Sequence, residues 1–277
     1  MDEIIIRKNN GEEVSFDIEK LKSSLIRSGA TNEDTEFVAK QVVESLEYGM
    51  STHNIYKLAY SLLRKKSNRV AGRYKLKKAI FELGPTGYPF ERLVSELIRT
   101  KGYETQSGII LEGNCVNHEV DVYARNDRKS IFAECKFHND NHRKTDLKVS
   151  MYVKSRFEDL QSRHSRNENS THKFEGWLVT NTRFTADAID FGNCGGLRLI
   201  SWDYPVKGNL RQLIDQAGFH PITTMKTITN KEKQALLEKS IVLCRQLIAN
   251  EELLKEMGVK ERKINRIIKE AETIISS

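Results

Sequence analysis

The sequence predicts three consecutive units: an α+β unit over residues 1–85, an α/β unit with a central mixed sheet over 86–206, and an all-α segment over 207–277. Three observations support this division. Two short strand-like runs flank a glycine turn at the start of the chain, glycine and proline break the pattern at positions 84–87, and helical periodicity dominates from about Pro221. A chain of 277 residues is long enough for two or so domains, each with its own core.

The composition is typical of a soluble globular protein. Hydrophobic residues make up 38% and charged residues 30% of the chain, and the longest aliphatic runs are far too short to cross a bilayer. The start, Met1-Asp2-Glu3, lacks the basic and apolar blocks of a signal peptide, so we expect a cytoplasmic protein. The four cysteines form no CxxC pair, which favours neither a zinc site nor disulfides. The net charge of +7 favours polyanionic partners.

The first unit is predicted to combine a β-hairpin with helices. Strands are expected over 4–7 and 13–16 with a tight turn at Asn9-Asn10-Gly11, and Asp17 is placed to cap a helix that ends at Ser28. The remaining helical patterns lie at 33–48, 52–65 and 69–83.

Residues of this unit resemble the ATP-cone, a nucleotide-binding regulatory module best known from ribonucleotide reductases. The likeness rests on Ile6-Arg7-Lys8-Asn9-Asn10-Gly11 and on the stretch from Val70 to Ala79 with its Arg-Tyr-x-Leu-x-x-Ala pattern. It implies that ATP or dATP binds near Lys8, Lys20, Thr52 and Arg73. The family turn carries an arginine where this chain has Asn9, and asparagine cannot grip phosphate with a charged fork. The alternative is a cone that serves only for docking or dimerisation.

The second unit is predicted to begin with a helix over 90–100, whose apolar stripe includes Phe90, Leu93 and Leu97. A strand is expected to begin at 103–106, with further strands at 116–125 and 130–137, a helix at 144–162, a strand at 174–180, a helix at 185–190 and a strand at 197–202. The predicted order is therefore α-β-β-β-α-β-α-β.

Asp121 and the run Glu134-Cys135-Lys136 are the strongest candidates for chemistry. Residues two apart on a strand project to the same face, so Glu134 and Lys136 are expected to point into one site while Cys135 faces the other layer. Carboxylates from adjacent strands suit Mg²⁺, and a lysine beside that ion can orient or deprotonate a water aimed at a phosphate. The plain alternative is a set of solvated charges at strand ends.

This arrangement resembles the PD-(D/E)XK nuclease pattern, and the predicted order of elements is similar to the restriction-endonuclease-like core. Phe90-Glu91-Arg92 is similar to the opening helix of Mrr-type enzymes, and the run from His118 to Asp121 is more similar to archaeal Holliday-junction resolvases. The resemblance implies that Mg²⁺ or Mn²⁺ is held by Asp121, Glu134 and the backbone carbonyl of Cys135. It also implies that Glu91 contacts the metal through water and that the substrate is DNA.

Other polar residues near the pattern have weaker claims. Glu119 shares a face with Asp121 and is a candidate for an additional carboxylate, whereas His118 is expected to be a hydrogen-bonded structural histidine rather than a phosphate contact. His138 and His142 are four positions apart but lie in a polar, loop-like stretch, so we do not expect zinc there.

The C-terminal segment is predicted to form helices over 230–249, 251–257 and 260–275, with Gly258 between the last two. The spacing around Gly258 is similar to a helix-hairpin-helix fold, whose glycine turn exposes backbone N–H groups to phosphate. A helical packing or dimerisation element is the alternative.

The sequence thus favours a metal-dependent DNA endonuclease that is regulated or assembled by ATP or dATP and forms a homo-oligomer. The second hypothesis is a nucleotide-sensing DNA-binding regulator with a non-catalytic nuclease fold, and the third is a purely structural ATP-cone oligomer. Retention of Asp121, Glu134 and Lys136 favours the first, and a metal-dependent cleavage assay separates it from the others.

Overall fold

The computed structural model describes residues 4–8, 11–167 and 171–275. The predicted turn residues Asn9 and Asn10 lie outside the described residues. Within the described ranges, no helix is both long enough and apolar enough to span a membrane.

The chain opens with a two-stranded hairpin followed by four helices. Strands β1 and β2 pair antiparallel, with Ile6 opposite Val14. Each of the four helices begins at a side-chain cap, in which Asp17, Thr31, Ser51 or Ser67 accepts a backbone N–H of the first turn. The elements are β1 (Ile5–Arg7), β2 (Glu13–Ser15), α1 (Ile18–Arg27), α2 (Asn32–Glu44), α3 (Thr52–Lys66) and α4 (Asn68–Phe81). The second helix ends four residues before the predicted position 48.

A five-stranded mixed sheet forms the centre of the molecule, as predicted. Its strand order is β3-β4-β5-β7-β9, in which β3, β4 and β5 are antiparallel neighbours and β5, β7 and β9 are parallel ones. The elements are α5 (Tyr88–Arg99), β3 (Glu104–Glu112), β4 (Asn117–Asn126), β5 (Lys129–Lys136), β6 (Lys144–Thr145), α6 (Leu147–His164), β7 (Lys173–Thr180), β8 (Arg183–Phe184), α7 (Ala186–Cys194) and β9 (Arg198–Ile200). The short parallel pair β6–β8 was not predicted.

Helices cover both faces of this sheet. On one face α5 packs through Phe90, Leu93 and Leu97 into the largest apolar cluster. On the other face α6 packs onto β7, and the absence of a side chain at Gly176 permits the contact. A Cβ at Gly176 would lie 2.6 Å from Cγ of Phe157 on α6. The sheet is therefore buried between two helical layers, as expected for strands with parallel connections.

The C-terminal region is helical, as predicted, but the predicted helix over 230–249 is wrong. Ser240 adopts a positive φ of 62°, and the chain then runs extended so that Ile222 and Cys244 donate backbone hydrogen bonds to Val242 and His220. A helix preceding this region was also missed. The elements are α8 (Leu210–Ala217), α9 (Asn230–Glu238), α10 (Cys244–Ala249), α11 (Glu252–Glu256) and α12 (Glu261–Ile275).

Helix α4 joins the first unit to the rest of the molecule. Its Ala71 packs in the small apolar cluster of the first unit, whereas Leu76 and Ile80 belong to the large cluster shared with α5 and the C-terminal helices. At its centre Gly72 lies against Ile274 of α12. The hydrophobic core is thus continuous across the predicted boundary at residue 85.

Candidate active site

Strands β4 and β5 separate at the point where the candidate carboxylates lie. Their antiparallel pairing runs from Asn126 opposite Lys129 to Val122 opposite Ala133. Past Val122 and Ala133 the two strands, both fully described, form no further residue pairs. In place of a further ladder bond, Oδ2 of Asp121 accepts the backbone N–H of Cys135 at 2.7 Å. The Asp121 carboxylate is therefore fixed in the gap between the two strands.

Glu134 and Lys136 lie on the same face of β5, the face covered by α6. Ala133 and Cys135 belong to the cluster on the α5 side, and Phe132 belongs to the cluster on the α6 side. Alternation along the strand then directs Glu134 and Lys136 toward α6. Glu134 is half-buried and Lys136 is exposed. The structure thus brings Asp121, Glu134 and Lys136 to the separated end of the two strands.

The backbone of Cys135 borders the same gap. Because the N–H and C=O of a strand residue point toward the same neighbouring strand, the carbonyl of Cys135 faces β4 along with the N–H that Asp121 accepts. The Cys135 side chain is buried on the opposite face. Burial raises the pKa of its thiol well above the ordinary value, so the thiol stays protonated and the backbone carbonyl is the group it can offer.

Arg156 of α6 is a site residue that the sequence analysis missed. Its Nη1 donates to Oε2 of Glu134 at 2.6 Å, and its Nη2 donates to the backbone carbonyl of Glu119. The Arg156 and Glu134 side chains are only 14% and 22% exposed. The arginine therefore places a positive charge beside the carboxylates. In the sequence Arg156 directly precedes the apolar Phe157, and this position on a helix that packs on the sheet is the signal that could have identified Arg156.

Negative charge is concentrated around the gap. Burial raises the pKa of Asp121 and of Glu134, and for Glu134 the neighbouring Asp121 raises it further. Glu91, in the first turn of α5, has its pKa raised to about 7 by burial and then by Asp121, Glu119 and Glu134. Glu91 thus lies close enough to join the group electrostatically. Carboxylates that raise one another's pKa values favour the arrival of a cation.

The donor set fits a hard divalent ion that keeps part of its water shell. Mg²⁺ is commonly bound through one or two carboxylates together with waters and substrate phosphates. Asp121, Glu134 and the Cys135 carbonyl match that pattern. Within the described ranges, no three side chains of Asp, Glu, His or Cys are grouped closely enough to hold a metal by themselves. An ion here would therefore complete its coordination with water and phosphate oxygens.

The neighbouring histidines are engaged in structural bonds. His118 bonds through Nε2 to Oδ2 of Asp159 at 2.8 Å, and this contact helps to lower the pKa of Asp159 to about 2. His138 is buried and bonds through Nε2 to Oγ1 of Thr145 at 3.0 Å. His142 lies on the wall of a separate cavity.

The four residues predicted to surround a nucleotide do not all line the same cavity. Thr52 lines a cavity of about 730 Å³. Arg73 lines an adjoining cavity that shares Ser24, Tyr74 and Lys77 with the first, and its Nε lies 3.7 Å from Oδ1 of Asp215. Lys8 and Lys20 form local ion pairs with Glu12 and Asp17 and line neither cavity.

The cavity beside Thr52 has other groups suited to a nucleotide. Tyr56 and Tyr74 stack with ring centroids 5.1 Å apart, and Lys77 and Lys78 add positive charge. Loop residues 139–142, which follow β5, form the opposite wall. This cavity therefore lies between the first unit and the loop that continues from the candidate active site.

Comparison with known proteins finds a relative and a solved structure that each match about two thirds of this chain. An uncharacterized protein of Archaeoglobus fulgidus is 35% identical over 184 residues, which cover 66% of this chain and 99% of that protein. The crystal structure of AF1548, a protein of unknown function, matches with 34% identity and a TM-score of 0.56, over 69% of this chain and 98% of that chain. The MspJI restriction endonuclease, solved with a 27-mer oligonucleotide, matches at 13% identity with a TM-score of 0.30, over 60% of this chain and 40% of that chain, too low to carry an argument.

A family model also matches part of this chain. The model of the AF1548-like C-terminal region matches residues 220–275, the segment that contains α9 to α12. With the identity over nearly the whole of the Archaeoglobus protein, the conclusion is that this chain belongs to the AF1548-like family.

Proposed function

We propose that this protein is a metal-dependent endonuclease that hydrolyses phosphodiester bonds in DNA. The observation that carries the proposal is the position of Asp121, Glu134 and Lys136 at the separated end of β4 and β5, with Asp121 held there by the N–H of Cys135. The fold around this site is an α/β core with a mixed sheet. The ATP-cone and restriction-endonuclease-like identities of the units are part of this proposal.

Each residue has a defined task in the proposed reaction. Asp121 and Glu134, with the Cys135 carbonyl, would hold Mg²⁺ or Mn²⁺, and such an ion would supply polarisation of the phosphate and acidification of water. Lys136, which is exposed, orients the attacking water and stabilises charge that develops on the phosphate oxygens. Arg156 offers a second positive group beside the scissile phosphate. Glu91 would contact the ion only through water, as the family resemblance implies.

The test is cleavage of plasmid, branched and single-stranded DNA by the full chain with Mg²⁺ or with EDTA. Asp121→Asn, Glu134→Gln and Lys136→Ala should each abolish cleavage with the fold intact. The matched controls are Asp127→Asn, in the exposed turn between β4 and β5, and Glu104→Gln, exposed at the start of β3. Cleavage by the Asp121 or Glu134 variant at the parental rate would refute the assignment.

Regulation by a nucleotide is the second part of the proposal. The cavity of about 730 Å³ beside Thr52 is large enough for ATP or dATP, and its tyrosines and lysines suit a base and phosphates. Since loop 139–142 both lines this cavity and continues from β5, occupancy would act on the strand that carries Lys136. Calorimetry of ATP binding to the full chain and to Thr52→Val, together with cleavage rates with and without ATP, tests this link.

The alternative function is a nucleotide-sensing DNA-binding regulator. It keeps DNA and the nucleotide as partners and a second copy of the chain as an assembly partner, but it requires no hydrolysis. DNA binding without cleavage of any substrate in Mg²⁺ or Mn²⁺ would favour it.

A further inference from the structure

A second concave surface, which we call the lysine groove, lies between the first unit and the C-terminal helices. Its volume is about 540 Å³, and it is bordered by α3, α4 and the start of α9. Five lysines are the common feature of its lining: Lys57, Lys75, Lys78, Lys226 and Lys233.

Two of these lysines form the floor of the groove. Lys75 is only 9% exposed, and its Nζ donates to the backbone carbonyl of Thr223 at 2.7 Å. The Nζ of Lys233 donates to the same oxygen at 3.3 Å. Two ammonium groups therefore converge on one neutral acceptor, which brings like charges together in a partly buried place.

Acidic side chains compensate only part of this charge. Glu82, the one carboxylate among the lining residues that the structure describes, lies 3.6 Å from Lys75 and 3.7 Å from Lys78. Glu270 lies nearby, where it accepts the backbone N–H groups of Lys226 and Thr227. Five ammonium groups thus face two carboxylates, and positive charge remains in excess.

Burial and mutual repulsion make it unfavourable for these lysines to carry a positive charge. Burial lowers the pKa of Lys75 and of Lys226, and it lowers the pKa of Lys233 to about 8, with Lys75 adding repulsion. A protein that gathers more ammonium groups than carboxylates in a concavity loses stability unless an anion binds there. The arrangement is therefore better explained by a ligand than by packing.

The rim of the groove suits a short, multiply charged chain. Lys57, Lys78 and Lys226 are exposed at the edge, where their flexible stems can fold toward a ligand. Lys226 sits over the Tyr60 ring, 3.8 Å from its centroid, so the aromatic face already holds one cation in place. The volume is within the range of small-molecule sites.

We propose that the lysine groove binds an oligophosphate, a chain of two or three linked phosphoryl groups, through Lys75 and Lys233 on its floor and the three lysines at its rim. The chain can belong to inorganic polyphosphate or to a nucleoside di- or triphosphate. The site is separate from Asp121 and Glu134, and it shares only Tyr56 and Lys78 with the cavity beside Thr52. It does not depend on nuclease activity.

The experiment titrates inorganic tripolyphosphate into the full chain by calorimetry. The test variant is Lys75→Gln with Lys233→Gln, since both residues line the groove and not the cavity beside Thr52. The control, Lys40→Gln with Lys101→Gln, removes the same charge from exposed positions away from the groove. We expect affinity about tenfold or more weaker in the test variant, with the control within about twofold of the parent.

Three results would overturn the proposal: no binding of millimolar tripolyphosphate by the parent, a loss below about threefold in the test variant, or an equal loss in the control. Lys233→Gln alone, checked by circular dichroism, replaces the double variant if the latter does not fold. A parallel titration with ATP distinguishes a nucleotide from inorganic polyphosphate as the source of the bound phosphates. An equal loss for ATP assigns the phosphates to a nucleotide, and a loss confined to tripolyphosphate assigns them to the inorganic chain.

Discussion

Replacing Arg156 by methionine tests the electrostatic organisation of the candidate active site. The arginine is the partner of the Glu134 carboxylate and also donates to the carbonyl of Glu119. Methionine keeps much of the apolar stem that packs along α6 and removes the charge and both hydrogen bonds. Glu134 is then left half-buried next to Asp121 without a cation.

The expected loss follows from the burial of the pair. A charge-assisted hydrogen bond contributes about 1.5–3 kcal/mol, and breaking a buried ion pair costs about 3–5 kcal/mol. Because Glu134 retains 22% exposure and can take up a proton, we expect about 2–3 kcal/mol. For a chain of this size that lowers Tm by roughly 3–6 °C. The pKa of Glu134 rises further in the variant, so the loss should be larger at pH 8 than at lower pH, because the carboxyl group gains a proton more readily as the pH falls.

Calorimetric unfolding of the full chain in EDTA measures this loss, with Arg163→Met as the control. Arg163 also lies on α6 and pairs with Glu112 at 2.8 Å, but that pair is exposed, so its removal should cost less than about 1 kcal/mol. Millimolar Mg²⁺ at pH 8 should restore part of the stability of Arg156→Met, because the ion would replace the lost positive charge. Equal destabilisation by the two variants would refute the proposed burial of the pair, and no effect of Mg²⁺ would refute the metal site.

Three further predictions concern the same core. Glu91 is protonated in the folded state up to about pH 7, against an ordinary pKa of 4.5, so stability should fall as pH rises between these values. Denaturant titrations at pH 5 and pH 8 should show that Glu91→Gln loses this dependence, and an unchanged pH profile would contradict the assignment. Gly176→Ala should cost about 1–3 kcal/mol in thermal unfolding through its clash with Phe157, and Phe157→Leu in the same chain should recover part of it. DNA affinity, measured by fluorescence anisotropy, should fall with salt at a slope equal to roughly 4–8 phosphate contacts, and a flat dependence would count against DNA as the substrate.

Local patterns predicted the sheet and much of the candidate site because strand alternation is a short-range property. The positions of Asp121, Glu134 and Lys136 beside the point where the pairing of β4 and β5 ends required only two strand assignments and their order. Arg156 was missed because its pairing with Glu134 joins a helix and a strand 22 residues apart. Periodicity does not reveal which face of α6 meets which residue of β5.

Long-range contacts also explain the errors elsewhere. The sequence from 230 to 249 has helical periodicity throughout, but residues near Ser240 pair with the extended chain around Pro221, and this tertiary contact overrides local propensity. Arg73, which the ATP-cone resemblance places near a nucleotide, also has its Nε 3.7 Å from Oδ1 of Asp215 of α8, a contact that the sequence did not indicate. The ion pair belongs to the packing of α4 against the C-terminal region, which a resemblance confined to the first unit cannot include.

The position of α4 in two apolar clusters determines where this protein can be divided. A fragment that begins at residue 86 would lack Leu76, Ile80 and Leu83, and it would expose to water the apolar surfaces of α5 and α12 that they cover. A fragment that ends at residue 85 would present those same three side chains to solvent and would tend to aggregate. Cleavage at Ser67, which ends α3 and caps α4, would leave α4 seated on its C-terminal neighbours but would separate Ala71 from the apolar cluster of the first unit, so α4 is shared between the two parts.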